Sequence, residues 1–396
     1  VPLIPTILPD IMEKKPVIYA DCAAQARPRP EAVAAAEAAL RLYGNPSGVH
    51  RCAKNGARLI FDARKKVAAA INAQPAEIYF VSSATEANNT AILSAARWGA
   101  EQRRLRMLVF AGEHHAVLNA ADNASKLTGT SVELVPCRTD GTVDLEAFER
   151  MCAEDVCLCA LMTVNNETGV IQPSADFGRI ARRNGALFLA DAAQAVGHLP
   201  VDVSAMGCDF LSMSSHKFGG IPGAGALFCR NGLSLSPLIC GGGQEGGRRS
   251  GTQALPAICA MGAAVSASVS SMDSESAQVK AVRDLLEQRL TAHPDILAVG
   301  SQSVRVPSIL CVCLRKTDGE AMSLHLDLQG ICVSSGAACT TGGDGASHVL
   351  AAMGIPPEYI RGSLRFSFDS LNTAEEAERI ASAVIALLDS GVAALR

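Results

Sequence analysis

Val156-Cys-Leu-Cys-Ala-Leu-Met162 is an unbroken apolar run; a helical pattern follows at residues 175–183, then a second apolar run, Leu187-Phe-Leu-Ala190. A strand covered on both faces reads as continuous apolar sequence, whereas a half-exposed strand alternates. Outward from this unit, strand-like runs recur at residues 78–81, 107–111, 132–136, 210–213 and 224–229, with helix-like segments at 86–98, 116–127 and 145–151. This repetition predicts an α/β fold: a large domain on a mostly parallel, seven-stranded-type sheet with helices on both faces. Glycine is dense from 219 to 251, and 254–293 reads mainly as helix, a candidate connector to a smaller domain. The remainder reads as α+β, with strands near 306–313 and 364–368, helices near 320–329 and 346–353, and a closing helix after Thr373. The expected division is a large domain over residues 16–262, and a small one made of 1–15 with 263–396.

The bulk numbers suit this reading. Across 396 residues, 48% are hydrophobic and 19% charged, an ordinary globular balance. A net charge of −4 provides no electrostatic footprint for nucleic acid. No uninterrupted apolar run is long enough to cross a bilayer. Residues 1–15 show no basic leader ahead of an apolar stretch, so a cytoplasmic protein is expected. The fourteen cysteines are scattered without a zinc-type framework. Cys157 and Cys159, like Cys311 and Cys313, lie in apolar runs and read as small hydrophobes of a reduced compartment.

Chemistry concentrates where strands end. In Ser212-Met-Ser-Ser-His-Lys-Phe-Gly219, Lys217 follows a strand and precedes a glycine-rich turn. A lysine there can form an imine with an aldehyde cofactor, although alone it reads as a surface lysine. Asp191 sits at a strand's carboxyl end, where α/β enzymes place ligands, and can pair with a protonated pyridine nitrogen. Its bland reading is a helix N-cap. Gln194 would then point at the ring hydroxyl. Ser82-Ser-Ala-Thr85 opens a helix after a strand, as a phosphate site requires, but equally as an ordinary cap does. His114 follows another strand and could cover a planar ring. Convergence of Thr85, His114, Asp191 and Lys217 on one crevice is the strong signal.

With these segments in place, the chain resembles the cysteine desulfurases of the class V aminotransferase-like group, within the fold type I transferases that depend on pyridoxal 5'-phosphate (PLP). The resemblance runs from about Tyr19 to about Phe368. It keeps in order Gly44-Asn-Pro-Ser47 with His50, Ala84-Thr-Glu-Ala-Asn-Asn89, Glu113-His114, Val164-Asn-Asn-Glu-Thr-Gly169, Asp191-Ala-Ala-Gln194, Ser214-Ser-His-Lys217, Gly241-Gly-Gly-Gln-Glu245, Arg249-Ser-Gly-Thr252 and Ser334-Ser-Gly-Ala-Ala-Cys339. It implies PLP as cofactor, with Lys217 as the Schiff-base lysine, Asp191 on the pyridine nitrogen and Gln194 on the ring hydroxyl. His114 would stack on the ring and assist proton transfer. Thr85, Ser214 and His216 would hold the phosphate, and Thr252 would reach the phosphate of a neighbouring subunit, implying a homodimer. Asn45, Asn166 and Arg365 would bind L-cysteine, with Arg365 gripping its carboxylate through a bidentate pair.

PLP alone leaves transaminase, lyase and desulfurase open. Cys339 narrows the choice: it lies in a run of small residues, Ser334 to Gly345, expected to form a mobile, exposed loop. A thiol there can be reached by substrate and then by an acceptor, whereas inert cysteines are buried. The resemblance implies a persulfide on Cys339, and the long loop implies delivery to an acceptor protein such as an iron–sulfur scaffold. Rival readings are a PLP lyase or transaminase that leaves Cys339 idle, an inactive scaffold, and a structural metal protein. The chain departs from the family pattern at Gln25-Ala-Arg27, Ser83, Ile221-Pro222 and Phe368-Asp-Ser370. These departures touch loop geometry and substrate fit but remove no nominated catalytic group.

Overall fold

The structure, a computed structural model, describes residues 17–336 and 346–395. Cys339, with most of its expected loop, lies outside the described residues, as do residues 1–15.

The chain opens with β1 (Ile18–Tyr19), α1 (Pro30–Leu40) and α2 (Arg51–Ala70). There follow β2 (Ile78–Val81), α3 (Ala84–Gln102), β3 (Arg106–Phe110), α4 (His115–Thr128), β4 (Ser131–Val135), α5 (Leu145–Met151), β5 (Val156–Met162), α6 (Ser174–Arg183), β6 (Leu187–Asp191), β7 (Phe210–Ser214) and β8 (Gly225–Cys229). Strands β2 to β8 form one seven-stranded sheet in the order β2-β8-β7-β6-β5-β3-β4. The pairs from β7 through β4 are parallel, and β8 runs antiparallel to both of its neighbours. All seven residues of β5 are buried, the physical reason its sequence shows no alternation. Phe148 of α5 and Phe177 of α6 stack at 3.7 Å between ring centroids beneath this sheet.

One long helix, α7 (Leu255–Thr291), then serves two cores. Ala257, Ala260, Met261, Ala264 and Val265 join the core against the seven-stranded sheet. Val279, Val282, Leu286 and Leu290 join a second core with β10, β13 and the closing helix. The expected boundary at residue 262 therefore falls inside a continuous helix. By length and composition α7 could cross a bilayer; here it packs against α1, α2 and the closing helix.

The second core is built from β9 (Ile296–Val299), β10 (Ile309–Leu314), α8 (Gly319–Asp327), β11 (Ile331–Cys332), β12 (Ser334–Ser335), α9 (His348–Ala352), β13 (Ser363–Ser367) and α10 (Ala374–Ser390). Antiparallel pairing orders a four-stranded sheet β12-β13-β10-β9, while β1 pairs in parallel with β11. Ile18 and Ala20 accordingly pack in this second core. The chain thus crosses to the first core only at Ala23, later than the expected boundary at residue 16.

Most cysteines are packing residues. Cys157 and Cys159 on β5, and Cys311 and Cys313 on β10, are buried. Burial pushes the thiols of Cys137, Cys157 and Cys229 up to about 12, and drives those of Cys22 and Cys208 higher still.

Candidate active site

Parallel strands bring their carboxyl ends to one edge of the sheet, and the nominated residues follow those ends. β2 leads to Thr85, β3 to His114, β5 to Asn166, β6 ends on Asp191, and β7 leads through Ser214 and His216 to Lys217.

Asp191 is a buried carboxylate held from two sides. Asn88 Nδ2 donates to Oδ2 at 2.7 Å, and the Ala193 N–H donates to Oδ1 at 3.0 Å. Lys217 Nζ donates to the carbonyls of Ala23 (2.8 Å) and Ala24 (2.9 Å). Gln194 Nε2 donates to the same Ala23 oxygen at 2.8 Å, so lysine and amide meet at one acceptor. His114 joins the two groups electrostatically: burial lowers its pKa, Asp191 opposes that, and the Lys217 charge adds to it. Its Nδ1 accepts the Ala116 N–H at 3.0 Å, which leaves the proton of the neutral ring on Nε2.

The residues nominated for a phosphate begin at the start of α3. Ser83 caps that helix by accepting from Glu86 N, and Thr85 is exposed in its first turn. Glu86, which would repel an anion there, is engaged by Arg249 Nε at 2.9 Å and by the Ser82 N–H at 2.8 Å. Burial raises its pKa, but these partners outweigh it and keep the carboxyl below its usual range. Ser214 Oγ and His216 Nδ1 are 3.1 Å apart. Burial, helped by the Lys217 charge, depresses His216 to about 4.

Arg365 on β13 is buried. Nη1 donates to the Asn166 carbonyl at 2.9 Å and Nη2 to Asp21 Oδ1 at 2.8 Å. Nε is buried and has no partner among the described residues. Asn45 and Thr252, by contrast, lie on exposed loops and make no hydrogen bond to this cluster within one chain. The loop before Thr252 is tied down by Arg64, whose Nη1 and Nη2 donate to the Glu245 carboxylate at 2.7 and 2.8 Å.

The donor set fits a phosphorylated pyridine aldehyde: an amine, a buried carboxylate, an amide, an imidazole and a hydroxyl-rich helix start. Comparison with known proteins gives the same direction. The model of the family described as aminotransferase class-V matches residues 18–380. The chain belongs to that family. It is 38% identical to a cysteine desulfurase of Cereibacter sphaeroides, over 94% of this chain and 96% of the relative. Among solved structures, a NifS-like protein superposes with a TM-score of 0.88 at 31% identity, covering 95% of this chain and 100% of that one. SspA in complex with cysteine superposes with a TM-score of 0.78 at 28% identity, covering 90% and 100%.

Sequence reading missed several members of the site. Asn88 orients Asp191 from 103 positions away. Glu113 is fully buried; burial raises its pKa well above the usual range, and Asp191 adds to this. His348 Nε2 lies 2.9 Å from the Glu113 carbonyl, and its ring is tilted against His115. Two of the departures meet each other: Arg27 Nη1 pairs with Asp369 Oδ1, and Cys22 Sγ donates to Asp369 Oδ2 at 3.4 Å. They form one compensating contact at the seam between the cores.

Four histidines, His114, His115, His198 and His216, have pKa values depressed by burial. A histidine held neutral in the fold contributes stability above the unfolded pKa of about 6.5, and this is lost as pH falls through the folded value. Urea denaturation at matched pH should therefore show wild type losing stability relative to His216→Asn as pH falls from 6.5 to about 4, the His216 value, a difference in which the oppositely shifted carboxyls of Glu113 and Glu167 cancel.

Proposed function

We propose that this protein is a cysteine desulfurase that binds PLP, removes sulfur from L-cysteine, releases L-alanine and carries the sulfur as a persulfide on Cys339. The observation that carries the reading is the junction of Lys217 and Gln194 at the Ala23 carbonyl, with His114 coupled to both Lys217 and the buried Asp191. PLP, when bound, supplies the electron sink that loosens the substrate's Cα proton and its Cβ–S bond. Lys217 would tether it, Asp191 would face its ring nitrogen and Gln194 its ring hydroxyl. Thr85, Ser214 and His216 would hold its phosphate.

This chain's own residues do the rest. Arg365 and Asn166 orient the substrate carboxylate, Lys217 Nζ moves the Cα proton, and His114 Nε2 holds a proton beside the reacting atoms. The Cys339 thiolate attacks the substrate sulfur: the Cβ–S bond breaks and an S–S bond forms. The bonding pair stays with the carbon, which takes up a proton to become alanine.

The same reading extends to partners. Thr252 and Asn45 stand on exposed loops, and Leu40, Tyr43 and Val49 beside Asn45 are exposed apolar residues. We assign this surface to a second copy of the chain, giving a homodimer with Thr252 at the partner's phosphate. A cytoplasmic acceptor protein, such as an iron–sulfur scaffold, would receive the sulfur.

Mass spectrometry after brief exposure to L-cysteine tests the central claim. Wild type should gain one sulfur on Cys339, and Cys339→Ser should gain none and stop releasing alanine at the wild-type rate. Unchanged alanine and sulfide production by Cys339→Ser would instead establish a lyase that leaves this thiol idle.

A further inference from the structure

Glu167 lies between the substrate arginine and the flanks of the segment that bears Cys339. It belongs to the loop after β5. Asn165 Oδ1 accepts the N–H groups of Glu167 (3.0 Å) and Thr168 (2.9 Å), and the Asn166 carbonyl accepts from Arg365. The Glu167 side chain is buried, and its Oε2 accepts a 2.5 Å hydrogen bond from Ser347 Oγ. Ser347 is the N-cap of α9; the same oxygen accepts the Leu350 N–H at 3.1 Å. Ser347 follows the Cys339 segment directly in sequence.

The preceding flank is held nearby, against Ser363. Gly336 N donates to the Ser363 carbonyl at 3.1 Å. A Cβ on Gly336 would stand 2.2 Å from Ser363 Oγ and 3.8 Å from Glu167 Oε2. Residue 336 is therefore pressed against Ser363 with Glu167 just beyond, and only glycine fits without a shift. Ser347 thus bonds the buried carboxylate, while Gly336 is held by Ser363 with the carboxylate beyond.

We propose that Glu167 is a positioning residue for sulfur transfer, anchoring the Ser347 flank of the Cys339 segment to the loop that backs Arg365. This rests on the reading of Cys339 as the sulfur carrier. An ordinary buried prop would sooner be apolar or a neutral amide, because burying a carboxyl is costly. A carboxyl in this place also feels charge: burial pushes it up to about 7, while Ser347 and the Arg365 guanidinium pull it back. The other titratable group facing it is the Cys311 thiol on β10, itself held protonated by its contact with Cys313 and by burial. The deprotonated form makes a charge-assisted bond to Ser347, roughly twice as strong as the neutral one. The anchor is therefore firmer above pH 7 than below.

The test uses the PLP-loaded, full-length enzyme and three readouts: cofactor absorbance, the change in visible spectrum on adding L-cysteine, and the rate of persulfide formation on Cys339. Glu167→Ala and Ser347→Ala should keep the first two within about threefold and slow the third by about tenfold or more. Glu167→Gln keeps an acceptor but no charge, so it should match wild type at pH 6 and fall about threefold or more behind at pH 8. Three results would overturn the proposal: wild-type persulfide rates in the alanine variants, parallel loss of all three readouts, or a Glu167→Gln ratio constant with pH. Absence of persulfide from wild type is a different outcome, which ends the reading of Cys339 and leaves nothing for Glu167 to position.

Discussion

Lys217→Ala, supplied with excess PLP, should release alanine from L-cysteine at least about 10³-fold more slowly than wild type, since in the proposed mechanism one amine both tethers the cofactor and moves the proton. The structure prepares that amine. Lys217 Nζ is drawn to two carbonyls, of Ala23 and Ala24, and its backbone carbonyl lies 2.9 Å from His198 Nε2, so both ends of the residue are fixed. The variant should bind PLP without the visible band of a lysine imine. Added methylamine should restore a small part of the rate. Activity within tenfold of wild type would remove Lys217 from the mechanism.

Asp191→Asn should lower kcat by on the order of 10²–10³-fold, comparable to losing one preorganised electrostatic contact in a dry site. The substitution keeps the shape and removes the charge. It also reverses one hydrogen bond, because both Oδ1 and Oδ2 now accept, from Ala193 N and Asn88 Nδ2. An amide there presents one NH2 to a donor, a mismatch of about 1–3 kcal/mol in a buried site. Reduced cofactor affinity should accompany the rate loss. Asn88→Ala should show a weaker version of the same defect, about tenfold, because it frees the carboxylate without discharging it. Steady-state rates and cofactor titration, measured together, separate the two effects.

The legibility of this chain followed the range of its contacts. β5 was readable to the residue because burial on both faces makes every position apolar. The helices between β2 and β6 were readable to within a few positions, since fraying ends carry little pattern, whereas α1 and α2 were not read. Four strands were not: β1, β9, β11 and β12 have two, four, two and two residues, too short for an alternation to show. In the site, Asp191, Lys217 and His114 each follow a strand and could be nominated from that position. Asn88, Asp21 and Glu167 could not be assigned roles, because what defines them is a partner 103, 344 or 180 positions distant. Their segments were within view, but nothing local distinguishes an asparagine that aims a carboxylate from one that caps a turn. The pairing of Arg27 with Asp369 has the same origin: two oddities in sequence become one contact in space.

The buried cysteines bear on a hazard peculiar to persulfide chemistry. A sulfane sulfur migrates by attack from any thiolate it meets, and this chain holds thirteen thiols besides Cys339. Those of Cys22, Cys137, Cys157, Cys208 and Cys229 are kept in the protonated, unreactive form by the packing around them. On the proposed reading of Cys339, close packing thus closes these five thiols to the cargo, while the Cys240 thiol stays exposed.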